Sequence, residues 1–207
     1  MPDWSVIASL ATAVGTLVLA VATFSSVRSG RRSARVAERA LLAGTQPILA
    51  PSRLTDPDTK IMFLEQHWVV APGGGAVAEA APEVIYLAIS VRNVGPGLAV
   101  LHSWSVRSGD VMAPHAEPAS FHRLTRDLYV PSGEIGFWQG ALRDPDTSEF
   151  VDLAKAIQGR QSFAVDILYG DHEGGQRVIS RFLLTAQGDT WLAAVGRYWN
   201  LDRAEPR

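Results

Sequence analysis

From Trp4 to Val27 the chain reads WSVIASLATAVGTLVLAVATFSSV, without one charged side chain. At about 1.5 Å of rise per residue, a helix over this run is ~36 Å long, against a bilayer core of ~30 Å. The run is therefore expected to cross a membrane once, and the rest of the chain to be held at its surface. The flanks suggest a direction. Asp3 precedes the run, and Arg28, Arg31, Arg32, Arg35 and Arg39 follow it. By the positive-inside rule the arginine side stays in the cytoplasm, which predicts a plasma-membrane protein with its N-terminus outside and its domain cytoplasmic. Ala20-Val21-Ala22 looks like a cleavage site, but a signal peptide carries a basic n-region and this one carries only Asp3. The expectation is an uncleaved anchor.

Within the span, Ala8, Thr12 and Thr16 lie four apart, as do Ala11 and Gly15. Such spacing lets helix backbones approach closely and would suit a homo-oligomer formed through the span. Chance spacing in an alanine-rich run stands beside that reading. Residues 28–45 read as an Arg-rich juxtamembrane helix, with Val36, Ala37, Ala40 and Leu41 on one stripe and a bend at Gly30. Its five arginines are candidate contacts for lipid headgroups, or simply a solvated face. Gly44 and Pro47 are expected to end it.

Charge follows the same division. Residues 1–45 hold five Arg against Asp3 and Glu38, a balance of +3. The remainder holds 14 basic and 19 acidic groups, a balance of −5, and the two parts sum to the formal −2. A basic collar beside an acidic domain suits a bilayer as partner and argues against nucleic acid. Without cysteine there are no disulfides, thiolate nucleophiles or thiolate metal sites.

After Pro47 the pattern turns to alternation. Strands are predicted at 47–54, over Met62, Leu64, Trp68 and Val70 as one shared face, at 85–92, at 98–106, and in two short pieces at 128–130 and 135–138. Residues 71–82, 93–97 and 108–126 read as loops; 71–82 has three glycines but no Lys-Ser/Thr of a phosphate loop. A short helix is predicted over 145–158, capped by Asp144, with Phe150, Ala154 and Ile157 inward and Gly159 as its stop. In the last hairpin, pairing Tyr169 with Gln176 puts Phe163, Val165 and Ile167 on the face of Val178, Ser180 and Phe182. Asp166 then lies outward near Arg177 and Arg181. The tails are 1–3 and 202–207, and the domain is 46–201.

Catalytic signals are sparse. His102 falls on an apolar face, where a packed imidazole is the ordinary outcome. His115 and His122 sit in a long loop without regular carboxylates. Asp171-His172-Glu173 is the one tight titratable cluster, and Asp, Glu and Gly are also what a wide hairpin turn requires. No nucleophile elbow, zincin, Walker or dinucleotide motif occurs. No catalytic, cofactor-binding or metal residue is assigned. Trp191, Tyr198 and Trp199 read as core or edge aromatics.

Asn93-Val94-Gly95-Pro96-Gly97 followed by Leu98-Ala99-Val100, and Tyr169-Gly170-Asp171 with Gly175, are turn motifs around short strands. With the anchor, they make the chain resemble uncharacterised bacterial, actinobacterial-like single-pass membrane proteins with an immunoglobulin-like domain. The resemblance implies one transmembrane helix plus a juxtamembrane helix, then an all-β immunoglobulin-like sandwich with one short inserted helix. It implies no activity. The expected role is a non-enzymatic, membrane-anchored binding or scaffold module for a protein partner of unspecified identity, using the loops 71–82, 93–97 and 109–126. The alternatives are an accessory subunit that contacts a larger membrane complex through its helices, and an enzyme built on His102, His115, His122 or His172 with a carboxylate.

Overall fold

The computed structural model describes residues 3–202; the tail residues Met1, Pro2 and 203–207 lie outside the described residues. The chain divides after Gly44 into a helical unit and a β-rich unit. Helix α1 runs Trp4–Thr45, 42 residues without interruption. The helix is continuous through Gly30 and passes Gly44 by one residue. A lone glycine costs a helix about 1 kcal/mol relative to alanine, which a long cooperative ladder tolerates. The helix ends instead just before Pro47, whose nitrogen has no hydrogen to donate. Inside it, Thr12 Oγ1 donates to Ala8 O at 2.9 Å and Thr16 Oγ1 to Thr12 O at 2.8 Å. Both hydroxyls are thus satisfied without a partner helix.

The second unit is a β-sandwich-like domain with one short helix. Its strands are β1 Leu49–Pro51, β2 Thr59–Met62, β3 Trp68–Ala71, β4 Gly75–Ala80, β5 Ile85–Asn93 and β6 Ala99–Arg107, then β7 His122–Val130 and β8 Ile135–Leu142. Helix α2, Ser148–Gln158, precedes β9 Phe163–Gly170, β10 Val178–Gln187 and β11 Thr190–Asn200. Nine strands form one sheet, and β2 and β3 a separate two-stranded one. Every pairing among the described strands is antiparallel.

Strand β5 is the hub. It pairs with β8 over Ile85–Arg92 on one side, and with β4 and then β1 on the other. From β4 the sheet continues through β11, β10, β9 and β6 to β7. The short turn from β7 into β8 brings its two ends together, and Arg126 bridges them by donating to Gln139 Oε1 at 2.7 Å. So folded, the sheet encloses one main core, including Leu87, Ile89, Trp104, Trp138, Phe163, Val165, Ile167 and Phe182. Tyr169 crosses it from β9, accepting from Leu49 N–H at 3.1 Å and sharing a hydrogen with Ser180 at 2.9 Å. Burial pushes its phenol up to about 12.

The β5 expectation holds for its inward face, but its other face is buried too. The β2–β3 hairpin covers it, packing Ile61, Phe63, Val69 and Ala71 on Tyr86 and Ala88. This corrects two readings. The region 62–70 is not one strand: Phe63 N–H binds His67 O at 2.9 Å, Gln66 takes φ 57°, and the chain reverses. Met62, Leu64, Trp68 and Val70 do share one face, and it is the exposed one. Residues 75–80, expected within a loop, are strand β4, because alanine-rich sequence can lie flat between β5 and β11.

Further departures are local. A bulge at His102 shifts the register of β6 between Leu101 and Ser103 against both β7 and β9. Ala99 and Leu101 point inward before it, Trp104 and Val106 after it, and His102 is left exposed rather than on the apolar face. Residues 122–126 belong to β7, so the loop ends at 121. Helix α2 starts three residues later than predicted, with Thr147 as its cap accepting from Phe150 N–H, and it buries Leu153 and Ala156 besides Phe150 and Ile157. In the last hairpin Tyr169 pairs with Val178, a shift of two residues that leaves the inward face as predicted. Strand β11 carries the C-terminal aromatics, with Trp191 and Trp199 buried.

Candidate functional site

Two surfaces stand out, one on each unit. On α1, residues 28, 31, 32, 35 and 39 fall within about 100° of arc at 100° per residue, so five arginines form one ridge. All five are exposed. From Arg28 to Arg39 the ridge is ~16 Å long, whereas the headgroup layer on one side of a bilayer is only ~6 Å deep. An upright span would put Arg28, Arg31 and Arg32 at headgroup depth and Arg35 and Arg39 beyond it. The pairing candidates Ala8, Thr12, Gly15 and Thr16 are exposed as well; Ala11 lies on the same helix.

The other surface is the outer face of the β2–β3 hairpin. Lys60 opposes Val70 and Met62 opposes Trp68 across the two strands, and Leu64 stands at the turn. Trp68 is 60% exposed and Leu64 69%. Beside the indole lies a hollow of ≈ 360 Å³, lined by Lys60, Trp68, Val69 and Val70. The sequence pattern puts Met62, Leu64, Trp68 and Val70 on one face, but of a single strand rather than of a hairpin. The polar triplet Glu65-Gln66-His67 was the missed signal, since three polar residues interrupting an alternation mark a turn.

The titratable residues are scattered. His122 reaches Glu149 Oε2 on α2 at 2.7 Å, and that hydrogen bond raises its pKa. His67 reaches Glu79 at 2.7 Å and stacks on Tyr86 with ring centroids 4.3 Å apart. His115 meets Trp199 edge-on, and the His102 pKa is lowered by burial and by Arg177. Asp171 serves the turn, its Oδ1 accepting from Glu173 N–H at 3.0 Å and Gly175 N–H at 2.9 Å, while His172 and Glu173 point to solvent. Among the described residues no three His, Asp or Glu side chains gather where a metal ion would sit.

Asp166 and Arg181, expected as an outer pair, are buried at 3% side-chain exposure each. Arg181 Nε and Nη2 donate to the two Asp166 oxygens at 2.6 Å, and Nη1 donates to Val111 O and Ala113 O. With Trp199 under the guanidinium, the pair clasps the 108–117 loop onto the sheet, which is what buries it. Arg177 instead holds Asp202, whose carboxyl it keeps below the usual range.

The chain matches no family model, no curated protein and no solved structure.

Proposed function

We propose that this chain is a non-enzymatic binding or scaffold module, anchored by a single membrane span and displaying an immunoglobulin-like β-sandwich on the cytoplasmic side. The observation that carries the reading is α1 itself. Its apolar half is long enough to cross a bilayer, and none of its most apolar window is buried. An unpacked run of that length is unfavourable in water and favourable in lipid. The arginines that follow support a cytoplasmic domain. Antiparallel strands around a single core support the immunoglobulin-like plan, although here they run in one continuous sheet. His122 does meet the Glu149 carboxylate and His67 that of Glu79, each at 2.7 Å, and the non-enzymatic reading takes both solvent-accessible pairs as contacts that tie neighbouring elements together.

Membrane fractionation tests the anchor: the full-length chain should stay in the pellet through alkaline carbonate and leave it in detergent. Release by carbonate overturns it. Sidedness is read from Glu173→Cys, an exposed position in a chain otherwise free of cysteine. An impermeant maleimide should label it only after the cells are opened. Labelling in intact cells overturns the orientation.

A further inference from the structure

We infer that the Arg28–Arg39 ridge of α1 is a binding site for an anionic phospholipid, selecting a phosphodiester headgroup that carries no cation of its own. The inference rests on the anchored reading, which puts the ridge beside a bilayer. Along this face Arg28 neighbours Arg31 and Arg32, and Arg35 neighbours Arg31, Arg32 and Arg39, all at spacings of three or four. Like charges at these spacings destabilise a helix in water. No ion pair among the described residues relieves them. Residues 28–45 hold five Arg against Glu38 alone, a balance of +4. The counter-charge has to come from outside the helix.

Shape and direction point to a lipid. A hollow of ≈ 520 Å³ follows the face, lined by Phe24 and Val27 at one end and by the five arginines beyond. Phe24 is 70% exposed and stands one turn ahead of Arg28 on the same face. The walls are thus apolar first and cationic next, the order in which a phospholipid presents its acyl chains and its phosphate. Nucleic acid, the other common polyanion, has a phosphate chain but no aliphatic part to match the Phe24 end. The Cα–Cβ bonds of a helix tilt toward its N-terminus, which here is the span. Arg35 therefore leans back toward headgroup depth although its backbone lies beyond it, and Arg39, one turn further on, reaches least.

The chemistry sets the selectivity. The paired donors of a guanidinium match the two free oxygens of a phosphodiester. A choline headgroup brings a cation of its own against the arginines, and a glycerol headgroup brings none. One arginine at an anionic surface favours the anionic lipid about fivefold.

The test uses the full-length chain in vesicles of phosphatidylcholine and phosphatidylglycerol, identical in both leaflets, so that orientation does not enter. A fluorophore is attached at Ser25→Cys, seven residues before Arg32 and on its line, or at Ser26→Cys, about 100° round the helix at nearly the same depth. Both positions are exposed. Each is quenched by a trace of nitroxide-labelled phosphatidylglycerol or phosphatidylcholine. At Ser25→Cys the glycerol lipid should be enriched about fivefold over the choline lipid, and at Ser26→Cys the two should quench about equally. Changing Arg28, Arg31, Arg32 and Arg35 to Gln should bring the Ser25→Cys ratio to about one, whereas Arg39→Gln alone should keep most of it. Equal ratios at the two positions, a ratio that survives the fourfold change, or an equal loss from Arg39→Gln each overturn the proposal. Displacement of the lipid by millimolar glycerol phosphate reports a soluble phosphate ligand and overturns it too. Carbonate extraction of the same vesicles separates the two readings: chains that are released sink the anchor, and chains that stay in the pellet with equal ratios sink only this site.

Discussion

Asn93 does at one position what the Asn-Val-Gly-Pro-Gly signal only hinted at. It is fully buried, and its Oδ1 accepts from Ile48 N–H at 3.1 Å and Gly95 N–H at 3.0 Å. Its Nδ2 donates to Gly97 O at 2.6 Å and Val130 O at 2.9 Å. Asn93→Ala orphans four backbone groups and should cost about 2–4 kcal/mol in denaturant unfolding of the detergent-solubilised chain. Asp166 is the second case. Asp166→Ala leaves a guanidinium buried with no counter-charge and should cost about 3–5 kcal/mol in the same measurement. Replacing both by Asp166→Leu and Arg181→Met should cost much less, yet free the 108–117 loop to protease, because Val111 O and Ala113 O lose their donor. His122 adds a pH dependence. Its folded pKa lies above the ordinary 6.5, so the stability it contributes is complete below 6.5 and disappears as pH rises through the folded value. The melting temperature of the native chain minus that of His122→Gln should therefore be larger at pH 5.5 than at pH 8.5.

Among elements, those with strong local signals were legible and those set by distant partners were not. Strand β5 alternates cleanly and is bounded by Asn93–Gly97, so its limits were readable. Helix α2 was readable from Pro145 to Gly159 to within one turn, the choice of cap depending on Asp144 and Thr147 lying only three residues apart. Met62, Leu64, Trp68 and Val70 share a face as the alternation implies, because the 63–67 turn preserves parity, but that face is exposed and belongs to a hairpin rather than to one strand. The bulge at His102 and the burial of Asp166 depend on β7, β9 and the 108–117 loop, which no local pattern announces. Of the candidate surfaces, the arginine ridge was visible residue by residue; the apolar set Met62, Leu64, Trp68 and Val70 was visible as one face, but its exposure and the turn within it were not. The Asn93–Gly97 turn also needed glycine for a reason other than turn type. A Cβ on Gly97 would collide with the Thr45 carbonyl, and one on Gly95 would come 2.5 Å from Ile48 N. Both contacts are backbone that cannot rotate away. Gly97→Ala should destabilise the domain by about 3 kcal/mol, whereas alanine at Gly15, with nothing within 4 Å of its Cβ position, should leave the domain melt unchanged.

For the molecule as a whole, the anchor and the order of strands in the sheet have separate consequences. If Arg28, Arg31 and Arg32 hold the orientation, changing all three to Gln should let a fraction of chains invert, read as maleimide labelling of Glu173→Cys in intact cells. The sheet adds a constraint of timing. Ala76 on β4 takes Trp191 on β11 as its neighbour, so a strand made early waits for the last one made. At 5–20 residues per second, translation separates them by roughly ten seconds. During that interval β4 is paired with β5 on one side and its other edge stays open. A chain stopped after Asp189 should be degraded or aggregate, while one stopped after Asp202 should accumulate normally by pulse-chase. The free edge of β4 is thus closed only when β11 has been made, so the interval before residue 190 is when an unpaired edge is open to other chains.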